Sequence, residues 1–216
     1  MKFKISICFL AIILSVAMPV NAQNAVDIEK TLITSYSMSD DIQLHHKVLE
    51  IIRTRFDEGR EIDDDIMNII KAMAKSSITK EVYEDGIHIK TNLEVQLKSI
   101  SLLGELGGQE ALDSMTALLK LSNVYPILLE TINSSAAIKA ESYDEFIDAL
   151  VAVMKKQHYL TLDNGFAFAA LYTLDRLTED TGIMLTPEVI KILLTYSESA
   201  YIKSVHDYIR KLLLKY

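Results

Sequence analysis

The chain is poor in the residues that punctuate a fold or staple it. Its 216 residues include 7 glycines, 3 prolines, one cysteine and no tryptophan. A many-stranded barrel or sandwich needs turn residues at every strand junction, and so few Gly and Pro exclude it. One cysteine cannot form an internal disulfide, so stability has to come from a packed core. Positive charge is scarce as well: 22 Lys and Arg stand against 30 Asp and Glu, a net charge of −8. Nucleic-acid binding rests on clustered Lys and Arg, which are absent, so no nucleic-acid partner is expected. What the chain does have is apolar content, 50% of its residues, far above that of a disordered segment.

The N-terminus reads as a secretory leader. Lys2 and Lys4 flank the start of a nearly unbroken apolar run from Ile5 to Met18; Pro19 breaks it, and Val20-Asn21-Ala22 offers a cleavage site. The run is short for a membrane span of roughly 20 residues, so cleavage after Ala22 is expected rather than a retained anchor. The mature protein would then begin at Gln23, have no integral membrane span, and be exported to the periplasm or the extracellular space. Cys8 would leave with the leader.

Helical periodicity governs the rest. Apolar residues recur at three- and four-residue steps from Ile42 to Phe56, ending near Gly59, and again from Ile62 to Met73. Asp63, Asp64 and Asp65 suit the positive end of the second helix dipole. Residues 78–91 break the pattern: Glu81-Val82-Tyr83 and Gly86-Ile87-His88-Ile89 flank Asp85-Gly86. An ordered loop is favoured there over a small hairpin, because a lone two-stranded hairpin is marginal.

Helices then resume in pairs. Thr91-Asn92-Leu93-Glu94 has capping-box spacing before a helix that ends at Gly107-Gly108, and a partner helix carries Leu112, Met115, Leu118 and Leu119 on one face. Val124 to Ile138 pairs with Tyr143 to Lys156, opened by Ser142-x-x-Glu145, another capping-box spacing. Gly165 to Leu177 pairs with a helix that Thr186 caps and Pro187 starts. The tail from Ser199 repeats the apolar step at Ile202, Val205, Ile209 and Leu212. Helix pairs recurring every roughly 30–40 residues without intervening strands are the signature of an α-solenoid.

Chemistry-bearing motifs are few. His46 and Glu50 lie one helical turn apart, but two ligands do not make a metal site. The acidic triplet at 63–65 lacks the spacing of a calcium loop. There is no Gly-x-Ser-x-Gly elbow and no glycine-rich phosphate loop. No catalytic, metal or cofactor residue is assigned, and enzymatic activity is not expected. Tyr143, Tyr159, Tyr172, Tyr196, Tyr201 and Tyr208 crowd the C-terminal half, where tyrosine suits either a partner interface or the sealing of helix junctions.

Residues 95–119 resemble a bacterial HEAT repeat. Leu103-Gly104-Glu105-Leu106-Gly107 and Glu110-Ala111 match its pattern without a gap, with Gln96 where the family usually carries Arg and Gly108-Gln109 in place of its Asp-Pro turn. Residues 168–177 are a looser match, with Asp175 or Thr173 at small-residue positions. Small Gly104 would let the paired helices approach closely. The resemblance implies an all-α fold: a right-handed solenoid of antiparallel helix pairs, HEAT- or armadillo-like, with about four pairs and a C-terminal helix. The chain then divides into a leader (1–22), N-terminal helices including a diverged repeat (23–77), a linker or small hairpin (78–91) and the repeats (92–216).

The resemblance also implies binding to a protein partner along the second helix of each pair. The residues expected to face that partner are Gln109, Asp113, Thr116 and Lys120, then Tyr143, Asp144, Asp148 and Lys155, then Glu188, Lys191 and Thr195. The excess of acid points to a basic or mixed-charge protein. The competing class is an envelope enzyme or the accessory subunit of an enzyme complex, since some bacterial relatives are associated with lyases acting on bilin pigments.

Overall fold

The apolar periodicity dictates helix, and the described residues are all-α apart from one short hairpin. The computed structural model describes residues 28–79, 82–84, 87–89, 92–181 and 186–215. The expected leader, residues 1–22, lies outside them. Helix α1 covers 28–37, α2 Ile42–Asp57 and α3 Asp64–Thr79. Strands β1 (Val82–Glu84) and β2 (Ile87–Ile89) follow, then α4 (Leu93–Leu106), α5 (Gly108–Leu121), α6 (Tyr125–Ser135), α7 (Asp144–Leu160), α8 (Asn164–Thr181), α9 (Pro187–Ser197) and α10 (Lys203–Lys215). The chain divides into two compact units, Met1–Ile69 and Ile70–Tyr216, with the boundary inside α3.

In the N-terminal unit, Asp41 caps α2 by accepting the Gln43 amide at 2.8 Å. The helix stops at Gly59, whose φ of +67° a side chain would resist. Asp63 begins α3 by accepting the Ile66 amide at 3.1 Å, and Asp64 and Asp65 occupy the first turn, as the dipole argument requires. Ile33, Val48, Leu49, Ile52 and Ile66 are buried. Beside this core, Glu29 receives Arg55 at 2.9 Å and Arg60 at 2.6 Å. Burial alone would raise the Glu29 pKa; the two guanidinium groups outweigh it and hold the carboxyl below its ordinary value.

In the C-terminal unit, Val82, Tyr83 and Glu84 pair antiparallel with Ile89, His88 and Ile87. A hairpin thus forms where a loop was favoured. From α4 onward each helix packs on the one two places further along. α4, α6, α8 and α10 form one series and α5, α7 and α9 another, joined where α4 meets α5, α5 meets α6, α7 meets α8 and α9 meets α10. α4 comes close to α6 at Gly104, where an added Cβ would lie 2.6 Å from the Ser134 carbonyl oxygen. The close neighbour of Gly104 is therefore α6, two helices on, and not the adjacent partner helix that the repeat pattern suggested. Thr173 reinforces the same series by donating from α8 to the Ile132 carbonyl of α6 at 3.0 Å.

The helix caps are mixed. Thr186 accepts the Val189 amide at 3.3 Å and Pro187 opens α9, as expected. The Ser142-x-x-Glu145 capping box does not form, and Thr91, the capping residue of the other, lies outside the described residues. Asn92 sits at φ +25° and makes no side-chain cap bond, and its Nδ2 is buried without a hydrogen-bond partner. The residue before α7 is Tyr143, one place beyond Ser142, so Ser142 lies outside the N-cap position.

Two substitutions test this packing. Gly104→Ala gains about 1 kcal/mol of helix propensity, yet it should destabilise by roughly 1–3 kcal/mol because the methyl overlaps α6 backbone. Leu103, fully buried on the same helix, should cost about 2–5 kcal/mol as Leu103→Ala. Urea denaturation measures both, and a Gly104→Ala protein as stable as the wild type would rule out the close α4–α6 approach.

Candidate partner-binding surface

The second series of helices is amphipathic, which decides what it can present. On α5, Ala111, Leu112, Met115, Leu118 and Leu119 are buried, leaving Asp113 and Lys120 exposed. On α7, Phe146, Ile147, Leu150, Val151 and Met154 are buried, so Asp144 and Asp148, one turn apart, point to solvent and Lys155 is half-buried. On α9, Val189, Ile192, Leu193 and Tyr196 are buried. Glu188 and Lys191 are exposed there, and Thr195 is half-buried with its hydroxyl on the Lys191 carbonyl at 2.9 Å. Three successive helices thus expose acidic side chains, with lysines on the same helices.

Two of the expected contact residues are not on this surface. Thr116 is buried and its hydroxyl returns to the Leu112 carbonyl at 2.8 Å. Tyr143 is buried, its hydroxyl donating to the Ile138 carbonyl at 3.0 Å and accepting the Ala140 amide at 2.8 Å. Helical spacing placed Thr116 one position too far round α5, and Tyr143 folds back on the α6–α7 connection. Gln109 is occupied by its own chain. Its Oε1 accepts the Glu141 and Ser142 amides at 3.0 Å, and its Nε2 donates to Asp113 at 2.8 Å and to the Ser142 carbonyl at 3.3 Å. Lys120 pairs with Glu145 at 3.0 Å.

Most of the C-terminal tyrosines seal junctions. Tyr196 is buried and donates to the Met154 carbonyl at 3.0 Å, with His158 stacked on its ring at 5.3 Å. Tyr201 lies 4.8 Å from the Tyr196 ring, and its hydroxyl meets His158 Nδ1 at 3.1 Å. Burial pushes the Tyr196 phenol far above its ordinary pKa. Tyr159 and Tyr172 remain exposed.

Sequence reasoning passed over an electrostatic cluster between α8 and α10. Asp175 on α8 is buried and accepts from Tyr208 at 2.9 Å, Lys211 at 3.0 Å and Lys215 at 2.9 Å, all on α10. Burial opposes its charge, but Lys215, Lys211 and Tyr208 together hold its pKa below the ordinary value. The available signal was a lone carboxylate inside the apolar run 168–177, facing Tyr208, Lys211 and Lys215 at helical spacing. A second feature lies in the N-terminal unit, a depression of about 750 Å³ lined by Lys30, Thr31, Thr34, Ser35, Asp65, Asn68 and Ile69. Lys30 at its rim pairs with Asp63 at 2.8 Å and Asp65 at 3.0 Å.

Among the described residues, no group of three or more His, Cys, Asp or Glu side chains converges to hold a metal ion. No helix among them is long and apolar enough to cross a membrane. Comparisons of the chain with protein-family models, with curated proteins and with solved structures return no match.

Asp175→Asn should destabilise at neutral pH by about 3 kcal/mol, at the low end for breaking a buried pair, because the lysines can turn back to water. The Asp175 pKa is lowered in the folded state from 3.8, so its stabilisation is present above that value and fades as pH falls through the folded one. The gap between wild type and Asp175→Asn should therefore narrow in acid. Equilibrium denaturation at several pH values measures it, and a gap unchanged with pH would mean the carboxylate is not ionised in the fold.

Proposed function

We propose that residues 92–215 form a HEAT-like solenoid of antiparallel helix pairs that binds a protein partner along α5, α7 and α9, in an exported protein. The observation that carries this reading is the exposure of Asp113, Asp144, Asp148 and Glu188 on three successive helices whose opposite faces are buried. Packing of each helix on the second one along supports the same arrangement, since a stacked array brings one face of every second helix into a row. A row of carboxylates favours a basic or mixed-charge partner and speeds its encounter. Of the expected contact residues, Asp113, Lys120, Asp144, Asp148, Glu188 and Lys191 lie exposed on this row, with Lys155 and Thr195 half-buried.

Crosslinking in the producing cell followed by mass spectrometry identifies the partner, and charge reversal then tests the surface. Asp113→Lys with Asp148→Lys is the better pair, because Asp144 lies in the first turn of α7, where reversal would itself weaken the helix. The double variant should keep its helical circular dichroism and melting temperature while partner affinity falls by about tenfold or more. Binding by the wild type should weaken with added salt. Glu105→Lys with Asp207→Lys, on α4 and α10, should leave affinity near that of the wild type. If the α4–α10 pair abolishes binding and the α5–α7 pair does not, the partner lies on the other series of helices.

A further inference from the structure

The C-terminal unit carries a second surface of different chemistry, at the ends of α5 and α7 and the start of α10. Three chain segments are fastened side by side there. The Tyr125 hydroxyl donates to Asp163 at 3.0 Å, the Ile202 amide donates to Asn164 Oδ1 at 2.9 Å, and Lys156 Nζ reaches Asn123 Oδ1. Leu121, Val124, Tyr159, Leu160, Leu162 and Ile202 are all exposed on these segments, Tyr159 at 82% and Leu160 at 65%. Single exposed apolar side chains are ordinary. These six together present on the order of 600 Å² of largely apolar surface, the upper end of what a monomer leaves uncovered.

Charge decides what this surface can meet, and here neither sign is in excess. Lys156 and Lys203 stand against Asp163 and Glu198 around the apolar centre. Lys120 is nearby but pairs with Glu145. A strongly basic or acidic partner finds nothing here to select it. A second copy of this chain does. Elsewhere two copies repel each other, at a net charge of −8 apiece. A two-fold contact through a balanced patch instead turns the lysines of one copy toward the carboxylates of the other. An apolar centre holding a tyrosine, ringed by charge, is also the anatomy of a protein interface. With that rim included, the patch approaches the roughly 800 Å² per partner that a standard stable interface covers. Hydrogen bonds already hold its segments together, so little ordering opposes association.

We propose that two copies of this chain dimerise edge to edge through this patch, about a two-fold axis. The contact takes the ends of α5 and α7 and leaves Asp113, Asp144, Asp148 and Glu188 outside it. On the protein-binding reading above, the dimer presents the acidic row twice and gains avidity for a partner with repeated sites. The dimer itself does not depend on that reading.

Sedimentation equilibrium tests the proposal, using protein purified from its producing cells with the N-terminus those cells leave. At about 100 μM the mass should be twice that of one chain, and it should fall on dilution. Tyr159→Ser with Leu160→Ser should raise the dissociation constant by about tenfold or more, with helical circular dichroism unchanged. Lys156→Glu with Lys203→Glu should do the same, because four carboxylates then face their own image, and added salt should partly restore the dimer. Asp113→Lys with Asp148→Lys should leave the dimer intact, so loss of partner binding and loss of the dimer are read separately. The chain has no tryptophan, so Leu160→Trp supplies a probe whose emission should shift to the blue as concentration rises. A wild type that stays monomeric at this concentration overturns the proposal, including one that sediments with lipid vesicles or joins a different protein instead. A dimer that survives both edge variants overturns it too, since the copies then meet elsewhere.

Discussion

At Gly104 the backbone of α4 comes so near α6 that a methyl group would sit 2.6 Å from the Ser134 carbonyl oxygen, and much of the C-terminal unit follows from that approach. With α4 and α6 in backbone contact, no helix fits between them. α5, which connects them in sequence, touches both from the side. Its apolar face is then consumed and its polar face turns outward. The same alternation recurs as α7 meets α8 and α9 meets α10. The exposed carboxylates on α5, α7 and α9 are thus a result of how tightly the first series closes.

Close approach requires small residues, and in this chain many of them carry hydroxyls. Ser99, Thr116, Thr131, Ser135 and Thr178 are buried, and each returns its hydroxyl to the carbonyl four residues back. The group is satisfied inside its own helix and makes no demand on its neighbour. Asp175 is the opposite case, because a buried carboxylate cannot satisfy itself and must draw donors from another element. It therefore fixes α10 against α8 in one register, which apolar packing alone would leave free to slide.

Much of the helical content was legible because an apolar stripe at helical spacing has few other uses. The Thr186-Pro187 start was legible for the same local reason. What escaped were features that depend on partners distant in sequence. Gly104 reads as small, but only the fold shows that α6 fills the space. Asp175 reads as a departure from a repeat pattern until Tyr208, Lys211 and Lys215 are set opposite it. Thr116 was misplaced because a face assigned from spacing is good to about one position, some 100° of rotation, and Tyr143 because it precedes α7 and its hydroxyl returns to the α6–α7 connection. The Ser142 capping box failed although its spacing to Glu145 is right, because the backbone at Ser142 is held by the Gln109 side chain.

That clamp separates two properties that usually travel together. Glu141 and Ser142 lie on an exposed connection, where backbone amides ordinarily exchange with solvent hydrogen within moments. Here both N–H groups are taken by a single side-chain oxygen, Gln109 Oε1, anchored at the first turn of α5. The amide side chain plays the part that a neighbouring strand plays in a sheet, accepting from the connection and donating back to it. Exchange at these two amides therefore reports the opening of α5 against the α6–α7 connection, and wetness at this point of the surface carries no information about local mobility.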